Sequence, residues 1–351
     1  MHNPTVDRVT HFFSCDWGTS SFRLRLVRMA DGRVLAEYAD ATGIRALQAR
    51  HPAGDAAARG AAFAGFLRER LVEMVVAHPG VMAQGLTVVV SGMASSTLGW
   101  HELPYAAVPV GLDGVGIPRK SFPLELPGGA PATVHLVSGL RTATDILRGE
   151  EVEILGLFAE AGYPEIAADG LVVLPGTHSK HVRLQKRQIT GFHTYLTGEL
   201  FDVLSTHSLL RASVKVAGPA PDITLADAMA REAFLQGVHA AWENGIARSL
   251  FQTRTRTVLQ SVPPGVNRWY LSGLLVGAEV ADLSSRESAV PILLAATAAT
   301  SPAYRIAFEA ADLASRVTVV PPAEMALASV RGQLKLLGAG LPVGQWPGAS
   351  S

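Results

Sequence analysis

The sequence predicts an α/β protein made of two halves on one plan, and three observations carry that reading. An apolar run at 11–15 ends in Asp16 and a small hydroxylated turn, Gly18-Thr19-Ser20-Ser21, before the alternating run Phe22-Arg23-Leu24-Arg25-Leu26. A second run, 170–174, repeats that logic with the turn Pro175-Gly176-Thr177-His178-Ser179 and a return strand at 180–184. After each opening, short apolar strand patterns alternate with longer helical ones, as layered α/β domains do. We therefore expect an internal duplication, residues 1–165 and 166–351, with a cleft between the halves.

The elements follow in order. Alternation in 22–26 predicts a strand with one wet face, and Asp31-Gly32 predicts a tight turn into a strand at 33–38. Residues 55–77 read as an amphipathic helix closed by Pro79-Gly80. Residues 86–90 are a compact buried strand, 101–132 a Pro/Gly-rich rim, and 134–137 the next strand. A helix opens at Arg148-Gly149-Glu150-Glu151, with its acids placed favourably against the helix dipole. In the second half, strands are expected at 170–174, 180–184 and 188–194. Helices follow at 199–208, 224–243 and 268–281, with Asp222 and Thr224 as candidate N-caps. The strand 291–295, a helix from Ser301-Pro302 to 314, the strand 317–320 and a terminal helix begun by Pro321-Pro322 complete the chain.

Composition excludes several classes. Of 351 residues, 48% are hydrophobic and 17% charged, and 30 basic side chains balance 30 acidic ones. This suits a packed protein without the basic footprint of a nucleic-acid binder. One cysteine, Cys15, excludes a disulfide framework and suits a reducing compartment. No apolar run approaches the ~18 residues a membrane helix needs, so a soluble cytoplasmic protein is expected. Homo-oligomerisation is left open.

The turn after Asp16 joins a carboxylate to hydroxyls and backbone N–H groups. It can hold a metal, cradle phosphate oxygens, or be an ordinary polar hairpin turn. No Gly-x-x-x-x-Gly-Lys-Ser/Thr stretch occurs, so a P-loop is absent.

Six short stretches, in order, resemble the 2-dehydro-3-deoxygalactonokinase family of the sugar kinase/actin/Hsp70 superfamily. They are Asp16-Trp-Gly-Thr-Ser20; Ser91-Gly-Met93 with Gly99-Trp100; Arg148 to Gly156; Leu174-Pro-Gly-Thr-His-Ser-Lys180; Thr197-Gly-Glu-Leu200; and Leu271 to Glu279. The resemblance implies duplicated ribonuclease-H-like domains that bind ATP between them. It also implies transfer of a phosphoryl group to 2-dehydro-3-deoxygalactonate, a 2-keto-3-deoxy sugar acid of galactose and galactonate breakdown.

Residue by residue, the resemblance makes Asp16 the Mg²⁺ ligand, with Gly18, Thr19 and Ser20 at the first phosphate turn. Gly176, Thr177, His178 and Ser179 form the second, and Gly273 and Gly277 lie near the adenosine or simply pack a helix. Related kinases place their base where Glu150 and Glu151 stand, with Asp145 a third candidate. Arg45 and Arg148 are candidate forks for the substrate carboxylate. Ser91, Ser95, Trp100 and Glu199 are candidate sugar ligands. Family members carry a glycine after the late strand, where this chain has Ala295-Ala296. Two other readings share these motifs: a phosphoanhydride hydrolase, and a nucleotide- or sugar-binding module without turnover.

Overall fold

The structure, a computed structural model, describes residues 10–50, 56–127, 131–160, 162–216, 223–286 and 289–338. The chain divides into two units: residues 1–163 with 187–191 and 326–351, and residues 164–186 with 192–325. Among the described residues no helix is long and apolar enough to cross a membrane.

Unit 1 is built on a six-stranded sheet. Its strands are β1 (His11–Trp17), β2 (Phe22–Arg28), β3 (Val34–Asp40), β4 (Leu86–Gly92), β5 (Arg119–Glu125) and β6 (Pro131–Val137). They lie in the order β3-β2-β1-β4-β6-β5. The meander β1–β3 is antiparallel, whereas β4 runs parallel to both β1 and β6. A short helix, α1 (Ile44–Arg50), follows the meander, and α2 (Ala56–Ala77) then crosses one face. Its Phe63, Phe66, Leu67 and Leu71 recur at helical spacing and meet Trp17 and Phe22 of the sheet. The ring centroids of Trp17 and Phe63 are 5.1 Å apart.

The face of β2 expected to be wet is covered at Arg25, which is 5% exposed. Its Nε donates to Glu37 at 2.6 Å and its Nη1 to Ser329 Oγ at 3.4 Å. Ser329 belongs to the terminal helix, numbered below, which explains a burial that local alternation cannot foretell. The rim 101–132 also differs from expectation, because it contains β5. Pro123 and three charged residues disguise this strand, and it tolerates them because it lies at the sheet edge, where a missing N–H breaks no ladder.

Unit 2 repeats the plan with β7 (Gly170–Leu174), β8 (Ser179–Gln185), β9 (Gln188–Tyr195, of which 192–195 belong here), β10 (Ile292–Leu294) and β11 (Val317–Val319). Their order is β9-β8-β7-β10-β11. β7 is antiparallel to β8 and parallel to β10, which is parallel to β11. This reproduces the order β3-β2-β1-β4-β6 of unit 1, so both units carry the ribonuclease-H-like arrangement and the fold is duplicated.

The helices are α3 (Glu150–Leu157) in unit 1, then α4 (Thr197–Thr206), α5 (Ala228–Asn244), α6 (Pro264–Arg286) and α7 (Ser301–Ala310) in unit 2. The core of unit 2 gathers Phe234, Val238, Val276, Val280, Leu294 and Phe308. Asp227, rather than Thr224, caps α5 by accepting Met229 N–H at 2.9 Å. Asp222 lies outside the described residues.

The last helix, α8 (Ala328–Gly338), was expected in the second half, with residues 166–351 as one domain. It belongs instead to unit 1. It crosses α3 so closely that a Cβ on Gly156 would stand 1.8 Å from Ala328 O, and one on Gly332 1.8 Å from Val152 O. Only helices without side chains at the crossing approach this way. Gly156→Ala and Gly332→Ala should each destabilise unit 1 by about 1–3 kcal/mol, the usual cost of overpacking. Chemical denaturation monitored by tryptophan fluorescence tests this, and midpoints equal to the parent's would contradict it.

Candidate active site

In unit 1 the first polar turn closes when Gly18 N–H donates to Ser21 O at 2.9 Å. The start of α1 then docks on it. Ile44 N–H donates to Gly18 O at 3.0 Å and Arg45 N–H to Thr19 O at 3.1 Å. A Cβ on Gly43 would lie 2.4 Å from Thr19 O, so glycine lets the backbones touch. Thr19 is half-buried and Ser20 exposed at the tip, and Arg45 is exposed on the docked helix.

Asp16 sits two residues before that turn, opposite Arg23 on β2 and Ser91 on β4. Beyond Ser91, Gly92 takes φ +92°, and a Cβ there would meet Trp17 O at 2.7 Å. Gly149 takes φ +110°, with its absent Cβ directed to within 3.3 Å of Gly92 Cα. Both conformations belong to glycine. They let the end of β4 and the start of α3 meet, which brings Glu150 and Glu153 into the electrostatic reach of Asp16, with Glu151 next to Glu150.

The three glutamates differ. Glu151 is fully buried and folds onto its own helix start, where Oε2 accepts Gly149 N–H at 2.7 Å. Its Oε1 is buried without a partner. Burial first, and the Glu150 charge second, push its carboxyl up to about 8. Glu150 is half-buried, and its Oε2 accepts Arg148 N–H at 3.0 Å. Glu153 is raised well above the usual carboxylate range, by burial and then by Asp16 and its fellow glutamates. Asp16 is raised by burial, opposed by Arg23 and Arg25, and raised again by Glu150. Sequence reasoning missed Glu153, although its spacing of three from Glu150 puts the two on one helical face. Asp145 stands apart in a turn, its Oδ1 accepting Ile146 N–H at 2.7 Å.

Four expected substrate ligands lie inside the protein. Arg148 is buried, and Nη1 donates to Ser95 O at 2.6 Å and also to Ser95 Oγ. Its Nη2 donates to Leu103 O at 3.3 Å, and its guanidinium lies 4.1 Å from the Tyr105 ring centre. This fork is engaged in holding loops and is not offered to a carboxylate. Ser95 has no exposed surface, and its Oγ donates to Val137 O at 2.6 Å. Trp100 packs in the core against Phe122. Ser91 is buried and accepts the Gln333 amide at 2.8 Å, while that amide also donates to Cys15 O at 2.9 Å. Gln333, missed in the sequence, thus bridges β1 and β4 beside Asp16.

In unit 2 the turn Gly176-Thr177-His178 is exposed. The start of α4 docks on it just as α1 docks in unit 1. Glu199 N–H donates to Thr177 O at 2.9 Å, and a Cβ on Gly198 would stand 2.5 Å from Gly176 O. Glu199, expected among the sugar ligands, pairs with His178 Nε2 on this turn. Ser179 is fully buried under the turn, accepting Gly176 N–H at 3.4 Å. Gly273 and Gly277 are packing residues, because a Cβ on the first would lie 2.0 Å from Phe234 O and on the second 2.7 Å from Val238 Cα. They seat α6 against α5.

A cavity of about 180 Å³ opens beside the turn, lined by Gly176, Thr197, Trp269, Ser272, Ala299 and Tyr304 among others. A second, of about 550 Å³, shares Trp269 and Ala299 with it and continues along α7 to Arg231 and Arg305. Ala295 and Ala296 are buried ahead of this loop, so the residues facing the cavities are Ala298 to Thr300.

Among the described residues, no group of three or more His, Cys, Asp or Glu forms a ready metal cage. Magnesium needs none, since it takes one or two carboxylates and completes its shell with water and phosphate oxygens. Asp16, a hard oxygen donor at a strand end, fits that requirement.

A family profile described as 2-keto-3-deoxy-galactonokinase matches residues 16–331. A Rhizobium meliloti (strain 1021) protein named as a probable 2-dehydro-3-deoxygalactonokinase is 32% identical over 310 residues, covering 86% of this chain and 90% of its own. The 2-dehydro-3-deoxygalactonokinase of Escherichia coli (strain K12) is 34% identical over 231 residues, 64% of this chain and 70% of its own. A crystal structure of a Sinorhizobium meliloti protein of the same designation superposes with a TM-score of 0.73 at 29% identity, over 93% of this chain and 99% of that one. With its matched motifs, duplicated fold and paired polar turns, the chain belongs to the 2-keto-3-deoxy-galactonokinase family.

Proposed function

We propose that this protein transfers the terminal phosphoryl group of ATP to the 6-hydroxyl of 2-dehydro-3-deoxy-D-galactonate, a step of galactose and galactonate breakdown in the cytoplasm. The observation that carries the reading is the junction of Gly92 and Gly149, which sets Glu150 beside Asp16 in a chain of this family.

Phosphoryl transfer asks for positioning and charge neutralisation more than for covalent work by the protein. Glu150 is the base that takes the hydroxyl proton, since Glu151 is sealed inside and held protonated at neutral pH. Asp16 holds Mg²⁺, which when bound neutralises charge on the phosphates. Thr19 and Ser20 offer hydroxyls and N–H groups to phosphate oxygens, as do Thr177 and His178 on their own unit, where Gly176 shapes the turn. Arg45 is exposed beside Thr19, and with Arg148 engaged elsewhere it becomes the partner for the sugar-acid carboxylate. The cavities bounded by Trp269 and Ala299 take the adenosine.

Release of ADP on adding 2-dehydro-3-deoxygalactonate, dependent on Mg²⁺, is the direct test. Absence of turnover with this acid and with its gluconate epimer would overturn the assignment. Asp16→Asn and Glu150→Gln should each lower kcat by about 10²–10⁴-fold, the range for a lost general base or an equivalent electrostatic group. Glu151→Gln should stay within about tenfold of the parent by the same measure. Equal losses in both glutamine variants would remove the distinction drawn here.

Glu151 also predicts a pH dependence of stability. The folded protein keeps its proton up to about pH 8, whereas the unfolded chain releases it above about 4.5. Its contribution to stability is therefore complete below pH 4.5 and is lost as pH rises towards 8. Glutamine mimics the protonated acid, so the melting temperature of Glu151→Gln should gain on the parent's steadily from pH 5 to 8. Parallel melting curves across that range would show that the carboxyl is already ionised in the fold.

A further inference from the structure

Glu279 lies on α6 in the last of the matched stretches and is 2% exposed, yet it takes no part in the chemistry above. Three donors surround its carboxylate. His181 Nε2 is 2.8 Å from Oε1, and Oε2 accepts Tyr304 O–H at 2.7 Å and the Thr197 hydroxyl. A buried carboxylate is costly unless its oxygens are satisfied, and here both are.

The carboxylate also sets the direction of the bonds around it. An ionised carboxylate only accepts, so Tyr304 must give Glu279 its one proton. The Ser179 hydroxyl, 2.9 Å from Tyr304 Oη, must then donate to Tyr304. That leaves the Ser179 oxygen to accept Gly176 N–H, at the head of the polar turn. The other branch reaches the same turn from behind. Thr197 begins α4, whose Gly198 touches Gly176 O and whose Glu199 N–H donates to Thr177 O. Both ends of the Gly176–Thr177 turn are thus referenced to one buried carboxylate, and Thr197 and Tyr304 also line the cavity beside it.

We propose that Glu279 is a positioning residue for the nucleotide phosphates: through Tyr304 and Ser179 on one side and Thr197 on the other, it holds the Gly176–Thr177 turn in the shape that binds them. This rests on the kinase reading above.

The experiment compares Glu279→Gln and Tyr304→Phe with the parent. Glutamine keeps the volume but puts an NH₂ donor where an acceptor stood, and phenylalanine keeps the ring while removing the relay. Glu279→Gln should raise the KM for ATP about tenfold or more, as loss of a buried hydrogen-bond partner does. Tyr304→Phe should raise it about fivefold on the same grounds. The KM for the sugar acid should stay within about twofold in both, since the turn binds only phosphate. Calorimetric titration with ADP alone, with no sugar present, should show the same ranking. Glu279→Asp, which keeps the acceptors on a shorter arm, should recover part of the ADP affinity lost in glutamine.

Variants that melt lower but keep the parental ADP affinity and ATP KM would overturn the proposal, leaving Glu279 a purely structural residue. If Glu279→Gln does not fold, Tyr304→Phe decides on the same readouts. A parent that neither binds ADP nor turns over the acid would remove the kinase reading, and this proposal with it, a result distinguishable because it is read without any variant.

Discussion

The polar turns of both units depend on one backbone constraint: each must touch the start of a later helix where no side chain fits. Gly43 meets the carbonyl of Thr19, and Gly198 meets that of Gly176. A helix begins with N–H groups that lack intrahelical partners, and the turn carbonyls accept them. Gly18 O and Thr19 O serve α1, and Thr177 O serves α4. No side chain caps α4, so the turn itself is the cap. With its carbonyls taken from behind, each turn keeps its hydroxyls and remaining N–H groups for whatever lies in front. Alanine at either glycine would break the contact that both cap and turn rely on.

A second constraint is electrostatic. Asp16, Glu150, Glu151 and Glu153 gather at one end of the unit 1 sheet, and the function proposed above would bring two further anions, a sugar acid and a nucleotide, to these acids. Four full negative charges there would oppose binding. The fold reduces them by burial, since Glu151 and Glu153 are both raised by desolvation before any charge effect. Arg23 and Arg25 counter the same tendency at Asp16, whose carboxyl burial and Glu150 still raise, and a bound cation would draw it towards the ionised form. Burial thus acts unequally on acids that look alike in sequence, carrying Glu151 to about 8 and Glu153 well above the ordinary carboxylate range.

The duplication was legible because strand runs and hydroxylated turns recur 158 residues apart, from Gly18 to Gly176. The proposed site was legible as local scaffold, in the polar turns at Gly18-Thr19 and Gly176-Thr177 and the acidic helix start at Glu150. It was not legible where a residue's role depends on distant partners. Arg148 resembles a free fork until Ser95 and Leu103, 53 and 45 positions away, take its donors. Gly273 and Gly277 do mark a close approach, and the group that approaches is α5. Glu150 and Glu151 are adjacent in sequence, and about 100° of helical rotation decides which one is sealed inside. β5 was hidden by Pro123, and the return of α8 to unit 1 by the absence of any local signal for which sheet a helix will cover.

The duplication also separates what the scaffold needs from what the reaction needs. Aligning the units at the docked turns pairs Thr19 with Thr177, and pairs Arg45 with Glu199, whose N–H groups donate to those threonine carbonyls. The backbone bond is kept while the side chain changes sign. Arg45 offers a cation beside the first turn, and Glu199 holds His178 on the second. Two residues ahead of each glycine, Asp16 corresponds to Leu174, which is buried in the core of its unit. A carboxylate is thus present in one unit and replaced by packing in the other. A turn proposed only to clasp phosphate would need a fixed shape, and the unit 2 turn has Ser179, Tyr304 and Glu279 bonded in series beneath it. In the function proposed above, a turn beside the reacting hydroxyl would need charge as well, and unit 1 is the one that gathers acids near its turn. The same fold carries both because the requirement common to the two turns is geometric, and glycine at the docking point satisfies it in each.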